Sequence, residues 1–274
     1  MASDSGGGGR QQDLSASQVL ALLPTSWRSQ LAHARWVPVS SDSGASVWQI
    51  SNAGSRVFLK IGLGRRCAEA IREEVERTAW LHSQGVHVAP ILSAAKDSEV
   101  AAILFAALEG RALDCANVPA SIIIPALGRA FLDLHSIPVE RCPFDEEIQT
   151  RLERAEHAIA AGEIDPSQFD PRNSGKAPEN LFAEILSDVP PEHLVVVHGD
   201  ATFSNIVIDA QQRIGFLDCG SCGKADAYTD LALLASEIEE RYGKEWAARF
   251  CRAYGLSEWD PRRAKFYLDL YEFF

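Results

Sequence analysis

His198-Gly199-Asp200-Ala201-Thr202-Phe203-Ser204-Asn205, followed by Phe216-Leu217-Asp218-Cys219-Gly220, is the part of the chain densest in chemical groups. The apolar run Leu194–His198 reads as a strand, and Asp200 lies where that strand enters a loop. A carboxylate so placed can orient an attacking hydroxyl and accept its proton. Asn205 opens a second short apolar run, Asn205–Ile208, and offers an amide oxygen. Asp218 closes a third, Ile214–Leu217, and the polar turn 209–212 separates the two runs. Two oxygen ligands projected from neighbouring strands suit Mg²⁺, which takes few protein ligands and completes its shell with water and phosphate oxygens.

Around this centre the sequence reads as mostly helical. Helical spacing marks Ile122–His135, Asp145–Ala161 and Pro178–Leu186 before it, and Asp226–Arg241, Lys244–Tyr254 and Pro261–Phe273 after it. The N-terminal part reads differently. A short helix over Ser15–Leu23 precedes two β-rich runs, Ser46–Ser51 and Arg56–Ile61, with turn residues Asn52, Ala53 and Gly54 between them. A helix over Cys67–His82 follows, then strands over Val88–Ala94 and Val100–Ala107. The composition shifts near Glu109-Gly110. The expected class is therefore α+β, with a small β-rich lobe over residues 13–108 and a larger, mostly helical lobe over 109–274. Residues 1–12, polar and with four consecutive glycines at 6–9, read as a disordered tail.

The small lobe carries its own candidate groups. Lys60 ends the run Val57-Phe58-Leu59-Lys60, and Glu73, Glu74 and Glu76 follow on the helix that would pack beside it. Ser41-Asp42-Ser43-Gly44-Ala45-Ser46 is rich in small residues that let backbone N–H groups approach phosphate oxygens, with the Ser43 hydroxyl as a further contact and Gly44 as the permissive turn. Without its position before Lys60 it would be an ordinary Ser-rich turn. Phe58 can stack on a base, or simply fill the core.

Composition narrows the partners. The chain has 274 residues and a formal charge of −12. That balance lacks the clustered Lys and Arg that nucleic-acid binding requires, and it suits a cationic partner or plain solubility. The longest apolar run, Val100–Leu108, is nine residues, short of the roughly 20 that a membrane helix needs. No basic-then-apolar leader opens the chain, so a cytoplasmic location with six reduced cysteines is expected. Cys219-Gly220-Ser221-Cys222 is a CxxC without the second pair of a zinc site.

The ordered set of motifs resembles the protein-kinase-like phosphotransferases and, within them, the aminoglycoside 3′-phosphotransferases. The resemblance rests on the stretches 195–201 and 215–220, Ala225-Asp226, Asp230-Leu231-Ala232-Leu233, the run 245–250, Tyr254-Gly255 and the closing Tyr271-Glu272-Phe273-Phe274, with Leu134-His135-Ser136 and Cys142-Pro143-Phe144-Asp145 upstream. It covers about residues 35–274.

What the resemblance implies is a two-lobed kinase-like fold that moves the γ-phosphoryl group of ATP to a hydroxyl of a polycationic aminoglycoside. Asp200 would be the catalytic residue, and Asn205 and Asp218 the Mg²⁺ ligands. Cys219 is then the variable residue of an Asp-x-Gly motif. Lys60 would be positioned on the phosphates by Glu74, with Glu73 the alternative, and the backbone of Ala106 and Leu108 would meet the adenine edge. Asp170, Glu240, Glu272 and the terminal carboxylate of Phe274 would bind acceptor amines. His198 would support the catalytic loop, and Asp230 would bond near it.

The sequence departs from the family at the acceptor end. Tyr271 stands where the family has Asp, Ser221 where Arg is common, and Pro171 and Arg172 follow Asp170 where acids are usual. Two other readings remain: a kinase of another small hydroxylated amine or sugar, and a nucleotide-binding protein without catalysis. The sequence leaves the oligomeric state open.

Overall fold

The computed structural model describes residues 14–39, 44–52 and 55–274. The expected tail, the Ser43 contact and turn residues Ala53 and Gly54 lie outside those residues. Two compact units are formed, one by the chain up to residue 76 together with 90–107, the other by 77–89 together with 108–274.

In the first unit, α1 (Ala16–Leu22) and α2 (Thr25–Leu31) lead into β1 (Arg35–Val39), β2 (Ser46–Asn52) and β3 (Ser55–Leu63). Then come α3 (Arg65–Ser83), β4 (Ile91–Lys96) and β5 (Val100–Ala106). The Ser15 side chain caps α1, and Gln18 reaches back to the Ser15 backbone. The five strands form one antiparallel sheet in the order β1-β2-β3-β5-β4. Strand alternation sorts its side chains. Trp48, Ile50, Leu59, Ile61, Ala102 and Leu104 pack with Val19, Leu23, Trp27 and Leu31 of the first two helices. The opposite parity, Ala101 and Ile103, packs on Ala68, Ile71 and Val75 of α3. Lys60 pairs with Ile103 across the β3–β5 ladder and shares that α3-facing parity.

The strand expected over Val88–Ala94 begins only at Ile91. Val88 bridges Phe216 instead, and the Phe216 N–H donates to the His87 carbonyl. Those contacts, with the Arg77–Glu146 ion pair, account for residues 77–89 grouping with the second unit.

In the second unit, β6 (Arg111–Ala112) precedes α4 (Ala120–His135), α5 (Ile148–Ala160), α6 (Pro178–Leu186) and β7 (Leu194–Val197). Short strands β8 (Ile206–Ile208), β9 (Ile214–Phe216) and β10 (Gly223–Asp226) follow, then α7 (Tyr228–Tyr242), α8 (Lys244–Tyr254) and α9 (Pro261–Tyr271). Its core gathers Ile123, Ile124, Leu127 and Phe131 of α4 against Leu231, Leu234 and Ile238 of α7 and Phe250 of α8. Helices α4 and α8 approach so closely at Gly128 that a Cβ there would lie 2.6 Å from the Ala253 Cβ. β6, β8 and β9 form one small sheet, and β7 pairs with β10. Among the described residues, no helix is long and apolar enough to cross a membrane.

Candidate active site

The loop after β7 is held from beneath by one buried carboxylate. Asp230, in the first turn of α7, is fully buried. It accepts the backbone N–H groups of His198 and Gly199, both at 2.8 Å, and Nε2–H of His135 at 3.0 Å. His135 is oriented in turn by the Tyr254 hydroxyl, 2.8 Å from its Nδ1. Burial opposes the Asp230 charge, yet the His135 hydrogen bond and its neighbours outweigh that penalty and hold the carboxyl below its usual range. Gly199 turns the chain at φ +86°, and a Cβ there would meet the Ser221 carbonyl oxygen at 2.0 Å, so only glycine fits. His198 is buried, with Nε2 donating to the Leu217 carbonyl and Nδ1 accepting the Asp200 N–H. Both ring nitrogens are therefore spent inside the loop.

Asp200 emerges half-buried at the end of this scaffold. Asn205 Nδ2 donates to its carbonyl at 3.0 Å and to Oδ2 at 2.7 Å. The β8–β9 hairpin sets the other distance that matters. Ile206 pairs with Phe216, and Leu217 N–H donates to the Asn205 carbonyl at 2.8 Å. Asp218 follows at once, in the left-handed conformation at φ 51°. Asn205 spends its amide nitrogen on Asp200, so its amide oxygen is the atom suited to meet a cation. An amide oxygen and a carboxylate on adjacent hairpin arms form a hard, all-oxygen donor pair that fits a divalent cation such as Mg²⁺. Among the described residues no group of three or more His, Cys, Asp or Glu is arranged to hold a metal ion. A cation here would therefore draw its remaining ligands from water and phosphate.

The acids expected to meet an acceptor separate into two groups. Asp170 and Glu272 are both engaged by partners within the chain. Asp170 accepts from the backbone N–H and Nε–H of Arg172, at 2.9 and 2.8 Å. Burial opposes its charge, but these bonds hold the carboxyl below its ordinary value. Glu272 accepts the Asp170 N–H at 3.0 Å and Asn173 Nδ2–H at 2.8 Å, fastening the segment around Pro171–Asn173 to the end of α9. Phe274 is 55% exposed, with the Arg151 guanidinium 4.4 Å over its ring. Glu240, by contrast, is exposed on α7 one turn from Glu237.

Glu237 was not singled out by sequence reasoning. Its carboxylate accepts the Phe203 N–H in the segment between β7 and β8. Burial pushes its pKa up to about 7, and the Asp200, Glu240 and Asp114 carboxylates push the same way. Its signal was present as a residue three before Glu240, on the same helix face. Tyr271 donates its hydroxyl to Asp200 Oδ1 at 2.5 Å. The sequence marked it only as a departure.

In the first unit, Lys60 Nζ lies 2.8 Å from Glu74 Oε2, with both side chains nearly inaccessible. Glu73 is exposed. Phe58 is half-buried and pairs with Phe105 across the sheet. Gly44 takes φ +68°, and the Cys67 thiol donates to its carbonyl. The Ala106 N–H is committed to the Pro90 carbonyl at 2.9 Å, which leaves its carbonyl as the group able to meet a base. Leu108 falls in the second unit, where its side chain lies against Gly215.

The sequence model of the phosphotransferase enzyme family matches residues 35–267. This chain belongs to that family. An aminoglycoside 3′-phosphotransferase of Streptomyces fradiae is 29% identical over 262 residues, spanning 90% of this chain and 98% of the relative. The crystal structure of an aminoglycoside 3′-phosphotransferase of type VIII superposes with a TM-score of 0.82 at 30% identity, covering 91% of this chain and 97% of that one. An aminoglycoside phosphotransferase of the 3″ type from Streptomyces rimosus, solved with ADP and streptomycin, gives a TM-score of 0.80 at 27% identity, with 90% and 95% covered. The phosphotransferase fold is thus the expected protein-kinase-like α+β fold. Cys219 and Cys222 of this phosphotransferase are buried cysteines, and burial pushes the Cys222 pKa well above its ordinary value. A thiol so shielded is a packing group rather than a nucleophile.

Proposed function

We propose that this phosphotransferase moves the γ-phosphoryl group of ATP to the 3′-hydroxyl of an aminoglycoside, and so confers resistance to it. The observation that carries the reading is Asp200, anchored through Asp230 and steadied by Asn205, with its charge acting on Glu237, where Glu240 and Asp114 add further negative charge. Near-full-length likeness to aminoglycoside 3′-phosphotransferases supports it.

Each residue has a task. Asp200 orients the acceptor hydroxyl and accepts its proton as the oxygen bonds to phosphorus. Lys60, held by Glu74, meets the ATP phosphates, together with the Gly44 backbone and the Ser43 hydroxyl. Phe58 and the backbone of Ala106 and Leu108 serve the adenine. Asn205 and Asp218 hold the Mg²⁺, which when bound neutralises charge on the phosphates. Glu237 and Glu240 take the acceptor's ammonium groups as charge-assisted partners. Asp170 and Glu272 act behind them by fixing the segment around Pro171–Asn173 to the end of α9, and the terminal carboxylate of Phe274 takes a further acceptor amine. A reaction that consumes ATP fits a cytoplasmic location.

The likeness to the 3″-type enzyme solved with streptomycin favours one second reading, transfer to a 3″-hydroxyl. ATP consumption by the purified protein with Mg²⁺ separates the two. Turnover with kanamycin, neomycin and ribostamycin, and none with tobramycin, which lacks the 3′-hydroxyl, is the expected result. Turnover with streptomycin alone would shift the site to 3″. No turnover with any of them would redirect the search to another hydroxylated amine or sugar.

A further inference from the structure

Asp200 is engaged on both carboxylate oxygens. Asn205 donates to Oδ2, and the Tyr271 hydroxyl donates to Oδ1 at 2.5 Å. Tyr271 is the last residue of α9 and is fixed from both sides. Leu270 before it is fully buried, and Glu272 after it is tied to Asp170 and Asn173. The ring is therefore carried to the catalytic carboxylate by a rigid helix end. A phenol and an acceptor alcohol present the same group, an O–H that donates to a carboxylate. Burial and the nearby Asp200 charge raise the phenol's pKa, so it stays a protonated donor.

We infer that the Tyr271 hydroxyl holds the acceptor-hydroxyl position on Asp200 until the acceptor displaces it, and so keeps water from taking the phosphoryl group. This rests on the phosphotransfer reading above. The reaction it suppresses is simple hydrolysis. A water oxygen bonds to the γ-phosphorus, the bond from that phosphorus to the β–γ bridging oxygen breaks, and ADP leaves with the electron pair. The water's proton passes to Asp200 and then to solvent.

Tyr271→Phe removes the hydroxyl and keeps the ring. The test measures ATP hydrolysis by the full chain with Mg²⁺ and no acceptor, then kcat and KM with kanamycin. A hydrogen bond to a charged group is worth about 1.5–3 kcal/mol, so removing it lets water compete. Acceptor-free hydrolysis should rise about tenfold, the kanamycin KM should fall severalfold, and kcat should stay within about twofold. The rise should vanish in the Asp200→Ala, Tyr271→Phe double variant, which shows that it runs through Asp200. Unchanged hydrolysis and KM would overturn the inference, leaving a structural contact. A tenfold fall in kcat without increased hydrolysis would also overturn it, making the hydroxyl an orienting donor. So would phosphotyrosine at position 271 in the wild-type protein after incubation with ATP. Increased hydrolysis in a protein that turns over no aminoglycoside would support the inference and reject the acceptor class instead.

Discussion

Asp230 and Glu237 lie seven residues apart on α7, two turns along one side of the same helix. Asp230 is charged at the helix N-terminus, where the backbone dipole favours an anion, and it receives three donors. Glu237 receives one, from Phe203, and faces three other carboxylates. Burial opposes the charge at both. Donors win at Asp230, whose pKa falls, and they lose at Glu237, whose pKa rises to about 7. A carboxylate supplied with donors by its own chain is a scaffold. One short of donors is suited to a cation from outside, and in the proposed function an ammonium of the acceptor supplies the charge and the hydrogen bonds.

The largest expected effect lies between these two residues, at Asp200. Asp200→Ala should lower turnover by about 10³-fold while nucleotide affinity and folding change little. ATP consumption and a nucleotide titration on the same preparation check it. Nucleotide affinity lost in parallel with turnover would mean that the residue holds ATP rather than orienting the acceptor. Next comes the scaffold. Asp230→Ala strands two backbone N–H groups and His135, and should cost about 3–5 kcal/mol in urea unfolding. A loss under 1 kcal/mol would erase the distinction between the two ends of α7.

The sequence disclosed the scaffold end better than the acceptor end, for a physical reason. Asp200, Asn205 and Asp218 sit at fixed offsets on a strand–loop–hairpin, so local geometry alone brings Asn205 to both of its neighbours. Lys60 and Glu74 are also set by short-range elements, a strand and the helix that follows it. The helices α6 and α8 match their expected limits because proline, glycine and periodicity mark their ends. β1, β6 and β10 were not read, being short or lacking a clear alternation. The acceptor acids depend on which long-range partner reaches each one first. Nothing in the local pattern says that Asn173 takes Glu272 or that Tyr271 crosses to Asp200, whereas the Arg172–Asp170 pair is a local contact two residues apart.

Glu237→Gln sharpens the comparison through pH. The native carboxyl titrates near 7 against an ordinary value of 4.5. Between those values the folded state binds more protons than the unfolded one, so this residue lowers stability as pH rises from 4.5 to 7. Below 4.5 the penalty is absent, and above 7 it is complete. Glutamine keeps an oxygen for the Phe203 N–H and carries no charge. The variant should gain about 1–2 kcal/mol over wild type at pH 8 and nothing at pH 4, with the acceptor KM raised up to about tenfold. Urea melts at the two pH values read the first, and steady-state kinetics the second. An equal gain at both pH values would mean that packing, not charge, distinguishes Glu237 from Asp230.

The smallest effect is expected at Asp170. Its carboxylate is already neutralised by Arg172, and both side chains are partly exposed, at 39% and 43%. Pairs of that kind contribute about 0–1 kcal/mol. Asparagine would keep the side-chain oxygen that accepts the Arg172 N–H, and the Asp170 backbone N–H would still reach Glu272. Asp170→Asn should therefore change the acceptor KM by less than about threefold, well under the change at Glu237. A larger loss would mean that the acceptor breaks the Arg172 pair to reach Asp170. The segment around Pro171–Asn173 would then belong with Glu237 among the groups completed by the substrate, rather than with Asp230 among those completed by the chain.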